Sequence, residues 1–364
     1  MTDFDDFLRT LLFRKFRVGK VKFDFMEALL AVCITGVGFA LRTAFPDSGL
    51  PHPLMFLAEW YLAVSGGVLV SRVSGRGRRG LYAYGILMIL PTVVMDGTIL
   101  GNSAGVGALI CISALLFLES GAIWLFTILA GALLLWNVKY IGLVLVAMVL
   151  WKYKGLRFEQ LAVLLVTGAA RFVYSFHAWF GAGYTLTTFH WPNIYEIVGR
   201  EAMQGQLFDP VATVGCFVAV GLLLLGIWVF CQGEWKLTRT VDETSEDASA
   251  RRNGVEIQML PVLRLLLFFG LAAGYFLPYM DQAYGYLFCV LAVILVLVEP
   301  KEFFIAAALQ IVTFAGYQEC VNGESMMPMW VFAVLQLLVL MYLCVKLLKE
   351  AKVVDLCVRK NWNI

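Results

Sequence analysis

Apolar residues run through the chain in long blocks separated by short polar or glycine-rich turns. A helix needs roughly 20 such residues to cross a hydrocarbon core, because no backbone polar group can go unpaired in lipid. Segments 25–41, 53–71, 81–95, 104–118, 121–136, 140–151, 160–178, 210–231, 259–279, 284–298, 303–318 and 329–346 stand out. The pattern predicts an all-α polytopic membrane bundle of about 10–12 transmembrane segments. Segments 104–118, 121–136 and 140–151 are short for a full span. That stretch is expected to cross three times, or once with a re-entrant hairpin whose ends are covered by protein.

Composition removes the soluble alternatives. Of 364 residues, 61% are hydrophobic and only 15% charged, with mean hydropathy +0.81. Soluble domains run at about 25% charged. So large an apolar fraction excludes disordered, fibrous, nucleic-acid-binding and ordinary soluble-enzyme classes. No Gly-x-x-x-x-Gly-Lys loop, His-Glu-x-x-His or Gly-x-Ser-x-Gly occurs. The eight cysteines form no Cys-x-x-Cys and fall mostly in apolar stretches, which speaks against a disulfide framework or a zinc site. Histidine is too sparse for a transition-metal centre; the chain calls for no cofactor, although carboxylates could hold a divalent cation.

The total charge of +2 is uninformative, but its placement is not. With a cytoplasmic N-terminus, all but five of the 28 basic residues fall on the inner side. The exceptions are Arg42, Lys139, Arg171, Arg200 and Arg264. This asymmetry predicts a multi-pass cell-membrane protein with both termini cytoplasmic. Residues 1–22 read as a cytoplasmic amphipathic and basic segment, too charged for a cleavable signal. Phe4, Phe7, Leu8 and Leu11 recur at helical spacing opposite Arg9, Arg14 and Lys15, as in an interfacial helix on membrane lipids or a basic flank that fixes topology. A membrane half spans 23–231, with an outer loop at 179–210. A polar linker at 232–258 leads to a second membrane half at 259–347 and a cytoplasmic tail at 348–364.

This orientation collects the chemistry on the outer face: His52, His177 and His190, with Asp47, Asp96, Asp281, Glu319 and other acids. Charges inside spans are the second pointer, since each costs several kcal/mol unless paired or facing a cavity. Glu59 lies in the second span and Arg171 in the seventh. They are expected either to line an outward polar cavity, with Arg171 meeting a phosphate or carboxylate, or to form a structural ion pair. Arg264 and Glu27 lie near the inner boundary, where they are expected to snorkel.

Three segments, taken in order, carry a resemblance: Leu90-Pro-Thr-Val-Val, Pro192-Asn-Ile-Tyr, and Tyr275-Phe-Leu-Pro-Tyr-Met-Asp-Gln-Ala-Tyr. Together they resemble bacterial GT-C-fold glycosyltransferases related to the GPI mannosyltransferase II type, loosely over most of the chain. The resemblance implies a GT-C-like enzyme that takes a sugar from a polyprenyl-phosphate donor at the outer membrane face. Asp47 or Asp96 would then be the catalytic base, and Arg42 or Arg171 would hold the phosphate. Asp281 and Tyr284 would bind sugar hydroxyls, with Glu59, His190, Asn193 and Tyr195 completing the substrate site. The first outer loop is shorter than such enzymes carry, with Asp47 its sole acid. Leu100-Gly-Asn-Ser-Ala and Met280-Asp-Gln-Ala-Tyr stand where fuller acid and basic motifs would be. Two further readings stay open: a non-catalytic protein that binds a lipid-linked sugar or scaffolds glycan assembly, and a small-solute transporter.

Overall fold

The structure, a computed structural model, describes residues 15–18, 21–44, 53–181, 186–199, 209–235, 237–240 and 255–352. Among these the chain is helical apart from two short antiparallel strand pairs: β1 (Lys15–Val18) with β2 (Val21–Asp24), and β3 (Thr238–Thr240) with β4 (Val255–Ile257). Every apolar block forms a helix. In order they are α1 (Phe25–Thr43), α2 (Pro53–Ser74), α3 (Gly77–Ile89) and α4 (Pro91–Val94), which runs into a π-turn at Met95–Ile99. Then come α5 (Ala104–Glu119), α6 (Ile123–Trp136), α7 (Gly142–Lys152), α8 (Phe158–Gly181) and the short α9 (Tyr195–Val198). The second half holds α10 (Pro210–Gln232), α11 (Met259–Phe276), α12 (Ala283–Val298), α13 (Phe303–Asn322) and α14 (Met329–Glu350).

Seven of these helices are long and apolar enough to cross a membrane, or eight if the bent pair Gly77–Ile89 and Pro91–Ile99 counts as one span. The chain is a multi-pass helical membrane bundle. Helices α5, α6 and α12 are shorter, and burial accounts for how α12 can be. It is buried around its whole circumference from Tyr284 to Leu295, packed by α2, α3, α5, α11 and α13. A helix apolar on all sides and enclosed by protein need not match the thickness of a bilayer. By contrast α1, α8 and α10 sit at the periphery with most of their apolar surface outward.

Contacts between distant parts of the chain sort the helix ends into two groups. Arg72 pairs with Glu119 at 2.9 Å, Arg79 donates to Val298 O at 2.9 Å, and Tyr153 donates to Gly233 O. These join what we call the basic end. Asp96 with Tyr317, and Phe189 with Met280, join the opposite end. Helix α5 therefore runs from the Asp96 end to Glu119, α6 returns, and α7 runs back to Tyr153. Segment 104–151 passes between the ends three times, which resolves the alternative left open by its length.

The basic end corrects one expectation. Arg264 does not snorkel: it is 5% exposed and its Nε and Nη2 donate to Glu302 Oε1 at 2.9 and 2.6 Å. Glu350 and Lys346 complete the network, which ties α11, the turn before α13, and α14. Glu27 instead closes the N-terminus of α1 in a capping box with Asp24. The polar linker is drawn together at its base by β3 and β4, while 241–254 lies outside the described residues, as does most of the expected N-terminal interfacial helix.

Breaking a buried ion network by removing one partner leaves uncompensated charge and costs about 3–5 kcal/mol. Glu302→Gln should therefore lower the unfolding midpoint in micelles sharply. Arg72→Gln, whose pair is partly exposed, should cost under about 1 kcal/mol. Equal losses for the two variants would refute the assignment of the network as the anchor.

Candidate functional site

The site at the opposite end begins with a break in a helix. Pro91 has no N–H to continue α3, so the chain bends by 46° between Ile89 and Pro91. The last carbonyls of α3 are left without helical donors. Arg42 supplies one: its Nη1 donates to Met88 O at 3.0 Å and to Gly38 O at 2.8 Å. Its Nε donates to Glu59 Oε2 at 2.7 Å, and both side chains are almost fully buried. The Glu59 carboxylate lies so close to the π-turn that a Cβ on Gly97 would meet Oε1 at 1.9 Å; one on Gly105 would lie 3.3 Å from its Cγ.

The π-turn places Asp96 in the interior with no exposed surface. Tyr317, from α13, donates to Asp96 Oδ1 at 2.7 Å, and Asn102 Nδ2 donates to the same atom at 3.2 Å. The other oxygen, Oδ2, is buried without a hydrogen-bond partner among the described residues, as is the hydroxyl of nearby Tyr286. Lys139, on the turn between α6 and α7, lies near enough to act electrostatically on both Asp96 and Asp281.

Asp281 sits on the turn between α11 and α12, where the backbone N–H groups of Ala283 and Tyr284 favour its charge. The residue is solvent-exposed, and the Lys139 charge favours its ionised form as well. Its neighbour Tyr284 feels the charge of Arg171 from α8. The Arg171 guanidinium stacks over Tyr174 at 5.0 Å, and its Nε has no hydrogen-bond partner among the described residues. Two acids and two cations thus occupy one end of the bundle.

A cap lies over this group. Phe189 donates to Met280 O and Tyr279 to Thr187 O, each at 2.8 Å, so the 186–191 segment runs strand-like beside the Asp281 turn. His190 adopts a left-handed backbone at φ +57, with its ring Nδ1 3.5 Å from Glu319 Oε2. Gly316 permits this: a Cβ there would meet His190 O at 2.4 Å. A non-glycine residue held in that region costs on the order of 1–3 kcal/mol, which the docked segment has to sustain.

The structure thus brings Asp96, Asp281, Tyr284, Arg171 and His190 to one end of the bundle. It separates Glu59 from Arg171, because Glu59 is taken up by Arg42. Asn193 and Tyr195 are spent on fastening the cap. Asn193 Oδ1 accepts from Tyr195 N at 3.1 Å, and Tyr195 donates to Phe276 O at 3.0 Å. Asp47 lies outside the described residues. Sequence reasoning missed Lys139, Tyr317, Asn102 and Glu319 as site residues. Lys139 had a signal, being one of the five basic residues off the basic side; Tyr317 had none, since a tyrosine in an apolar helix reads as core. Among the described residues no three His, Cys, Asp or Glu side chains converge as a metal cluster would require. Comparison with family models, curated proteins and solved structures finds no match.

The Arg42–Glu59 pair can be tested apart from function. Arg42→Met alone should destabilise by about 3–5 kcal/mol because it strands the Glu59 charge. Arg42→Met combined with Glu59→Met should recover most of that loss, as read by unfolding in micelles. Additive losses would show that the two side chains act separately.

Proposed function

We propose that the chain is a membrane transferase that takes a sugar from a polyprenyl-phosphate donor at the extracytoplasmic face of the cell membrane, with both termini cytoplasmic. The observation that carries this reading is the set Asp96, Lys139, Asp281 and Arg171, which sits at the end of the bundle away from the basic residues. In a transfer of this kind the acceptor hydroxyl oxygen bonds to the anomeric carbon. The bond from that carbon to the phosphate oxygen breaks, and the electron pair leaves with the phosphate. A carboxylate takes the hydroxyl proton, and cations hold the departing phosphate.

Asp96 Oδ2 suits the base, because its partner oxygen is fixed by Tyr317 and Asn102 while Oδ2 has no donor. Lys139 and Arg171 are the cations for the phosphate. Asp281 and Tyr284 would take sugar hydroxyls, with His190 above them. The resemblance to GT-C enzymes implies Asp96 as one of two candidate bases and Arg171 as one of two phosphate holders; Lys139 is added here from its place beside Asp96 and Asp281. A solute carrier is the second reading, favoured by the bent α3–α4 pair with its π-turn, since carriers build their sites on interrupted helices.

Purified protein in vesicles, supplied with polyprenyl-phosphate sugars and candidate acceptors, decides the matter. Asp96→Asn should lose about 10²–10⁴-fold in turnover. Turnover retained by this variant would remove Asp96 as base. Absence of turnover with every donor, joined to saturable donor binding, would favour a non-catalytic sugar-lipid protein. Solute uptake into the vesicles would favour the carrier.

The pH dependence adds a separate check. If Asp281 must be ionised to bind, affinity falls as pH drops through its pKa. Lys139 lowers that pKa. In Lys139→Met the acid limb of the donor-binding curve should therefore move to higher pH. An unmoved limb would show that Lys139 does not act on Asp281.

A further inference from the structure

A groove of about 410 Å³ opens on the bundle's side between α1, α2 and α3, outside the site described above. Small residues make it deep: Ala28 and Ala31 on α1, Gly67 and Ser71 on α2, Gly77 and Gly80 on α3. Helices α2 and α3 touch along its floor, where a Cβ on Gly80 would meet Gly67 O at 2.5 Å. The groove begins at the basic end beside Glu27 and ends at Thr35, Trp60 and Tyr84, whose polar atoms are bonded to one another. On α2 it runs from Ser71 to Trp60, roughly 16 Å at the helical rise per residue. That is about half of a hydrocarbon core some 30 Å thick, the depth of one leaflet.

The mouth is cationic. Arg76 lies in the turn that joins α2 to α3, with Arg72 in the last turn of α2 and Arg78 and Arg79 in the first turn of α3. Of the acids facing them, Glu119 is paired with Arg72, and Glu27 lies 3.7 Å from Arg78 while also closing the α1 cap. Arg79 is engaged with the carbonyls of Leu297 and Val298. Arg76 and Arg78 are exposed, and Arg76 has no acid partner among the described residues. An apolar slot one leaflet deep with spare positive charge at its rim matches a single class of ligand. We propose that the groove holds an acyl chain of an anionic phospholipid from the leaflet at the basic end, its phosphate headgroup held by Arg76 and Arg78. Basic clusters at the ends of transmembrane helices attract anionic headgroups in this way.

Native mass spectrometry of protein reconstituted with phosphatidylglycerol and phosphatidylcholine, then extracted, tests the site. Wild type should retain one phosphatidylglycerol in preference to phosphatidylcholine. Arg76→Gln with Arg78→Gln should weaken that retention about 30-fold, and Ala31→Trp should abolish it by filling the slot. Ala28→Leu serves as a second filler should Ala31→Trp fail to fold. Correct folding is checked by unfolding in phosphatidylcholine alone, where each variant should match wild type. Equal retention of the two lipids, or undiminished phosphatidylglycerol in the arginine variant, would overturn the headgroup assignment. Retention by a folded filler variant would overturn the groove. Sugar transfer plays no part in any of these readouts.

Discussion

Five elements meet at the buried pair between Arg42 and Glu59. Arg42 comes from α1 and Glu59 from α2, and Met88 O is the stranded carbonyl at the end of α3. The π-turn and α5 approach the same carboxylate through Gly97 and Gly105. In water such a pair would contribute little; in a lipid-surrounded interior each charge would be intolerable alone, so the two residues hold each other in place. Helix α1 is otherwise a peripheral element, with only 11% of its membrane window buried. Its polar ties to α3 are Arg42 on Met88 O, the Thr35–Tyr84 hydroxyl contact and Glu27 beside Arg78.

The position of Asp96 follows from that pair. The proline break and the π-turn rotate the chain so that Asp96 faces inward instead of toward lipid, and Gly97, next in sequence, must be small because Glu59 lies against it. Tyr317 and Asn102 then fix one carboxylate oxygen. A one-carbon addition at Gly97 would push Glu59 and the π-turn apart, and Asp96 would move with the turn. The candidate base is therefore positioned by an ion pair that has no contact with any substrate. Buried charge is here a way of setting geometry, at a cost that only a functional or architectural role explains.

Much of the architecture was legible from hydropathy alone. Every apolar block became a helix because the requirement for internal backbone hydrogen bonding in lipid leaves the chain no alternative. The alternating placement of basic residues matched the sorting of helix ends by Arg72–Glu119 and Arg264–Glu350. Partnership was the illegible part. Glu59 could have met Arg171 or Arg42, and spacing along a chain does not rank two helices as neighbours. Arg264 looked free to snorkel because Glu302 and Glu350, its partners, are 38 and 86 residues away. Lys139 stood out by charge yet was passed over, since its relation to Asp96 and Asp281 exists only once three separate turns converge.

The two ends of the bundle hold charge differently, in how many opposite charges each acid meets directly. At the basic end Glu302 meets both Arg264 and Lys346 directly, and Glu350 meets Arg264. At the opposite end Asp96 and Asp281 share Lys139, while Arg171 lies over the Tyr174 ring with its Nε unpartnered among the described residues. Sharing one lysine leaves both acids less compensated than Glu302, and on the proposed reading an anion bearing hydroxyl groups would complete the set. A network that served stability alone would bring its acids and bases into direct contact, as the Arg264 cluster does. On the reading proposed above, a phosphate-linked sugar would meet Asp96 Oδ2 and Arg171 Nε beside the docked segment around His190.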